Sequence, residues 1–173
     1  GLDTLVGGSG NDSYIVERGD EIIIETSGTD TVTSTAHFTL SDGLERLILA
    51  GSAALNGTGN GVANTILAGP GANRLTGLAG NDYLSAGAGN DTIDGGFGSD
   101  VVDAGAGDDV ITVTKTNNER SGDVVKGGLG RDQLKLDLNT HAGSSYGSYI
   151  TWSGLKADGT ATSRVNAIST LAQ

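Results

Sequence analysis

The 173-residue chain has no cysteine, no methionine, a single proline and only seven aromatic residues (one Trp, four Tyr, two Phe). Without cysteine there is neither a disulfide framework nor a thiolate metal site. Basic side chains are scarce: ten stand against 21 acidic ones, for a formal charge of -11 and a pI near 4.3. Phosphate binding requires clustered lysine and arginine, so nucleic acid is excluded as a partner and a cation is favoured. No stretch approaches the roughly 18 apolar residues of a membrane span. The start at Gly1 has neither an initiator methionine nor a signal-peptide pattern, and reads as part of a longer polypeptide. Glutamate is also rare, since 16 of the 21 acids are aspartate, joined by 11 asparagines and 30 glycines. A solvated helical surface favours glutamate and lysine, so helical bundles are excluded. With 36% hydrophobic residues, the chain is too apolar for a disordered linker. Glycine, aspartate and asparagine form turns, and this composition describes a chain that turns at short intervals.

The turns recur with a period of nine. Asp82, Asp91, Asp100 and Asp109 share one column, in GLAGNDYLS, AGAGNDTID, GGFGSDVVD and AGAGDDVIT. Upstream the frame holds for AGPGANRLT and GNGVANTIL, with Asn73 and Asn64 in that column. Downstream, after five extra residues from Val113 to Asn117, it resumes as NERSGDVVK and GGLGRDQLK, carrying Asp123 and Asp132. An isolated copy, GGSGNDSYI, contains Asp12. The eighth column is always apolar: Tyr14, Ile66, Leu75, Leu84, Ile93, Val102, Ile111, Val125 and Leu134. This pattern predicts a six-residue turn followed by a three-residue strand with one inward side chain. A unit so short cannot bury its apolar residue alone and must stack. Two units make one coil of about 18 residues, and alternate units form two parallel sheets. Leu84 and Val102 fall in one column, Leu75, Ile93 and Ile111 in the other.

These units resemble the nonapeptide G-G-x-G-x-D-x-U-x of the RTX, or haemolysin-type calcium-binding, family. The match is nearly continuous from Gly59 to Lys135 and holds in outline from Gly1 to Val16. The resemblance implies an all-β, right-handed parallel β-roll, or β-solenoid, in a segment of a larger secreted bacterial protein. It also implies calcium, at least two or three ions. Calcium takes six to eight oxygen ligands, and glycine-rich turns aim successive carbonyls into one cleft. Partner turns lie two units apart, so paired aspartates stand 18 residues apart. The strongest pairs are Asp82 with Asp100 and Asp91 with Asp109. The family pattern adds carbonyls of Gly77, Ala79, Gly96 and Gly98 to the first, and of Ala86, Ala88, Gly105 and Gly107 to the second. Asp109 with Asp132, beside Gly128 and Gly130, follows if the Val113 to Asn117 insertion loops out, and Asp100 with Asp123 comes next. Asn73 with Asp91 and Asn64 with Asp82 each lose one charge, and their asparagines can instead bond neighbouring amides without a metal. Asp12 and Asp30 are again 18 apart. Coils about 4.8 Å apart press like charges together, so the ion-free chain is expected to be largely unfolded and to fold on binding calcium.

Three segments are expected: 1–58, β-roll with degenerate repeats; 59–135, the regular roll; and 136–173, a cap or interruption. In the first, Ile22, Ile24, Val32, Leu47, Leu49 and Leu55 are expected inward. The last has a turn signal at Ala157-Asp158-Gly159 and is expected to form a hairpin-like cap over the open end. The resemblance further implies passage through type I secretion machinery to the extracellular space or cell surface, where millimolar calcium suits weak modules. The alternative is an accessory module that binds carbohydrate, such as a cell-surface polysaccharide, through Trp152, Tyr146 and Tyr149. An enzyme is not expected. Gly143-Ser144-Ser145-Tyr146-Gly147 matches G-x-S-x-G but lacks the strand and helix that give the motif meaning, and His37 and His141 stand alone.

Overall fold

A computed structural model describes residues 3–116, 122–139 and 150–155. Among them no helix occurs, and the strands in chain order are β1 (Thr4–Ser9), β2 (Ser13–Val16), β3 (Ile22–Ser27), β4 (Thr31–Ser34), β5 (Phe38–Thr39), β6 (Arg46–Leu49), β7 (Asn56–Thr58), β8 (Thr65–Ala68), β9 (Arg74–Thr76), β10 (Tyr83–Ser85), β11 (Thr92–Asp94), β12 (Val101–Asp103), β13 (Val110–Thr116), β14 (Asp123–Leu129), β15 (Gln133–Asn139) and β16 (Ile150–Leu155). All pairings between them are parallel. Even-numbered strands from β2 to β16 form one eight-stranded sheet, odd-numbered strands from β5 to β15 form a six-stranded sheet, and β1 pairs with β3. Consecutive strands therefore lie in different sheets, the topology of a parallel β-solenoid.

The register is that of the nine-residue frame. Leu84 lies between Ile66 and Val102, and Ile93 between Leu75 and Ile111. All of these side chains are buried, as are Tyr14 and Val125, and Leu134 packs partly against them. In each short strand only the central residue points inward, because successive side chains alternate in direction. The core is thus a thin stack fed by one or two residues from each strand, and no strand could hold its place without neighbours above and below.

Two local expectations are corrected. Val32, Leu47, Leu49 and Leu55 are buried as expected, but Ile22 and Ile24 are about half exposed and Ile23 is the inward residue. Alternation allows one or the other set, and Ile23 wins because it pairs with Leu5 in β1, which packs on the core. The insertion after Thr112 does not loop out at Val113. Val113 to Thr116 instead lengthen β13 to seven residues, paired with an equally lengthened β15 from Leu136 to Asn139. Val113 gains a second inward position. In the tail, β16 is one more parallel strand on β14, with Trp152 in register with Val125. The turn at Ala157-Asp158-Gly159, Tyr146, Tyr149, His141 and the Gly143 to Gly147 run lie outside the described residues.

Candidate metal centre

The glycine positions shape the edges of the stack. Turns pair directly: Ala79 with Phe97 on one edge, and Ala88 with Ala106, then Ala106 with Leu129, on the other. Gly98 shows why glycine is needed here. Its φ is 134°, and a Cβ would collide with the Gly80 carbonyl of the turn beneath. That conformation is open to glycine and strained for other residues.

On this frame the aspartates form two columns. The Asp82 amide donates to Asp100 Oδ1 at 3.0 Å, and the Asp91 amide to Asp109 Oδ1 at 2.8 Å. The ladder continues from Asp100 to Asp123 at 2.9 Å and from Asp109 to Asp132 at 3.2 Å, so the longer insertion-bearing coils keep the stack. Asp12 donates to Asp30 Oδ1 at 2.7 Å. Every aspartate pair expected from the spacing is therefore brought together. Asn64 and Asn73 join the columns by donating their backbone amides to Asp82 and Asp91, both at 2.7 Å.

Asp30, Asp82, Asp91 and Asp109 each spend one oxygen on the ladder, and the other oxygen tests the site. Oδ2 of Asp12, Asp30, Asp82, Asp91 and Asp109 is buried without a hydrogen-bond partner. A buried carboxylate oxygen left unpaired is costly. Burial pushes Asp82 and Asp91 up to about 6; the stacked carboxylates of Asp100 and Asp109 add to the rise, and the ladder amides of Asn64 and Asn73 oppose it. Asp109 and Asp132 are raised by the same burial. A divalent cation would remove both costs at once. The donors on offer are carboxylate and carbonyl oxygens, a hard set that suits calcium and not the nitrogen and sulfur preference of zinc. Among the expected carbonyls, those of Ala88 and Gly105 accept the amides of Gly71 (2.7 Å) and Leu129 (2.8 Å), which occupies one of two lone pairs on each.

The asparagines behave differently. Asn73 Nδ2 donates to the carbonyls of Gly69 (2.8 Å) and Ala86 (3.3 Å). Asn60 Nδ2 reaches the carbonyls of Ser41 and Leu44, and Asn64 Nδ2 also reaches Leu44. Their amide groups supply the positive end that an ion would supply between the aspartate turns.

Two acids escaped the sequence reading. Glu45 Oε2 accepts the Asp30 amide at 2.9 Å and so occupies the aspartate column; its place just before Arg46 and Leu47, like that of each aspartate before its strand, was the available signal. Glu25 lies in β3 with its carboxylate close to Asp12 and Asp30. His37 is engaged through Nδ1, which accepts the Asn56 amide at 2.9 Å.

Fold and site together define a parallel β-solenoid whose turns stack carboxylate oxygens between coils. The family model of the RTX calcium-binding nonapeptide repeat matches in four copies, at residues 1–23, 58–93 and 76–111, and the repeats of this chain belong to that family. No curated protein and no solved structure matches the chain. RTX repeats bind calcium and form a structural module, and no described helix is long and apolar enough to cross a membrane.

Proposed function

We propose that this chain is a non-catalytic calcium-dependent β-roll that folds when ions enter between its aspartate turns. The observation that carries this reading is the row of buried, unpartnered Oδ2 atoms on aspartates stacked 18 residues apart. Asp82 with Asp100, and Asp91 with Asp109, are the leading ligand pairs, completed by the carbonyls of Gly77, Ala79, Gly96, Gly98, Ala86, Ala88, Gly105 and Gly107. Asp109 with Asp132 and Asp100 with Asp123 extend the two columns. In this reading 59–135 is the regular roll, 1–58 its degenerate N-terminal part and 136–173 a terminal segment. The cost of pressing carboxylates together keeps the ion-free chain largely unfolded, and calcium binding energy becomes folding energy.

Such behaviour suits a protein exported unfolded, through a type I system, into a calcium-rich exterior, the setting typical of RTX repeats. The carbohydrate reading needs Trp152 as an outer platform. The backbone register sets Trp152 beside Val125. Circular dichroism during a calcium titration tests the proposal: β signal should rise with calcium and fall with chelator. A β signal indifferent to chelator would overturn it.

A further inference from the structure

One acidic cluster is not accounted for by the nonapeptide pattern. Asp12, Glu25 and Asp30 each bring one oxygen to within 4.8 Å of the others. Asp12 and Asp30 are stacked column aspartates, but Glu25 is not. Counting in nines from Gly7 puts Glu25 at the first position of the turn ETSGTDTVT, a position held by glycine or alanine in the regular turns from Gly59 to Ala104. A carboxylate therefore replaces a residue whose side chain can contribute nothing to an ion.

The surrounding groups hold it there. Asp30 is fully buried, with Oδ1 accepting the Asp12 amide and Oδ2 unpartnered. Glu25 divides its oxygens the same way: Oε1 accepts the hydroxyl of Tyr14, a core residue, and Oε2 is buried without a partner. Asp12 Oδ2 is likewise buried and unpartnered. Gly7 leaves the room. A Cβ there would run into the Tyr14 hydroxyl and Glu25 Oε1 and stand 2.7 Å from Asp12 Oδ2.

We propose that Asp12, Glu25 and Asp30 form a three-carboxylate calcium site, tighter than the two-aspartate sites of the regular roll, with Tyr14 as the residue that positions Glu25. The inference rests on the reading of the chain as a calcium-folded module. Its physical basis is charge count: an oxygen site with three formal negative charges attracts calcium more strongly than one with two and otherwise neutral carbonyls. The N-terminal coils then order at lower calcium than the regular turns, although their glycine pattern is the poorer of the two.

The test uses the full chain stripped with chelator and calcium alone as the probe. Hydrogen exchange read by mass spectrometry should show residues 7–34 becoming protected at lower free calcium than residues 80–112. Glu25→Gln keeps the shape and an acceptor for Tyr14 but removes the charge. It should raise the calcium needed to protect 7–34 by roughly tenfold or more, lower the stoichiometry in equilibrium dialysis by one ion, and leave the midpoint of 80–112 in place. A wild-type midpoint for 7–34 at or above that of 80–112 overturns the proposal, and this holds even where the variant fails to fold. Unchanged stoichiometry and midpoint in Glu25→Gln overturn it as well. Protection of 80–112 by calcium with none at 7–34 sinks this site alone, whereas a chain that binds no calcium anywhere sinks the module reading beneath it.

Discussion

Between Leu55 and Thr76 the polar side chains in the ladder column are asparagines, and between Gly77 and Asp132 they are aspartates. Asn73 and the aspartates use the same side-chain oxygen in the same way, accepting a backbone amide of the preceding coil, whereas Asn64 Oδ1 accepts the Asn60 amide of its own turn. They differ in the second terminal atom. In Asn73 it is a nitrogen that donates to the carbonyls of Gly69 and Ala86. In Asp82, Asp91 and Asp109 it is a buried oxygen with nothing to accept from. One stretch carries its own positive end, and the other must import it. The need for calcium is therefore a property of particular coils, set by an amide or a carboxylate at one position, and not of the solenoid as a whole.

The largest expected effect comes from removing calcium at neutral pH. The aspartate coils lose the ion that joins them, while the asparagines keep their bonds to the carbonyls of Ser41, Leu44 and Gly69. Amide exchange at 80–112 should therefore rise at higher residual calcium than exchange at 47–76, together with loss of most β circular dichroism. Simultaneous loss in both stretches would show that coupling between neighbouring coils outweighs their chemical difference.

Asn73→Asp moves one asparagine coil into the other class. It deletes two hydrogen bonds and places a second carboxylate against Asp91, which should cost about 2–4 kcal/mol in the absence of calcium. Saturating calcium should recover most of that loss and add one bound ion. A higher calcium midpoint in the circular dichroism titration reads the first outcome, and equilibrium dialysis the second. A variant that folds at the same calcium midpoint as the parent would break the comparison at its centre.

Protons offer a weaker substitute for calcium, and again only in the aspartate coils. Asp82 and Asp91 are raised to about 6 by burial, above the ordinary value near 4 of the unfolded chain. The folded state then binds protons that the unfolded state releases, so stability without calcium is gained as pH falls through 6 and lost as pH rises through it. Between pH 7.5 and 5 the gain should be about 1–2 kcal/mol for each aspartate, allowing for solvent screening at the turns. Calcium affinity should move the opposite way, weakening below pH 6 as protons compete for the same oxygens. A β circular-dichroism signal in chelator that falls on acidification would refute the sign.

Much of this organisation is legible in the residues because the repeat encodes it directly. The period of nine, the apolar eighth column and the aspartate sixth column are enough to pair Leu84 with Val102 and Asp82 with Asp100. The reading failed where the frame was abandoned too early. Carried on from Tyr14 in steps of nine, it reaches Ile23 and Val32, both buried, and would have set Ile22 and Ile24 outside. It would also have put Glu25 at the head of a turn. Glu45 was harder to see, because the coil between Val32 and Leu47 is shorter than the rest, so no fixed period reaches it. The insertion was misjudged for a different reason: Val113 to Thr116 alternate as a strand does, and a sheet can absorb added residues by lengthening two neighbouring strands together.

The smallest expected effect concerns backbone fit alone. Leu78 takes the second position of its turn with a φ of 78°, where Gly87, Gly96, Gly105 and Gly128 have φ between 89° and 99°. A leucine in that region is strained by roughly 1–2 kcal/mol, and glycine returns part of that through the freedom it loses on folding. Leu78 is exposed, so little burial is given up. Leu78→Gly should therefore stabilise the calcium-loaded chain by about 0.5–1 kcal/mol, seen as a higher urea midpoint. The reverse change, Gly96→Leu, should destabilise it by more, since its Cβ would also meet the Leu78 backbone of the stacked turn. If Leu78→Gly lowered the midpoint, the aspartate coils would owe less to the glycine geometry of their turns than to the side chains those turns carry.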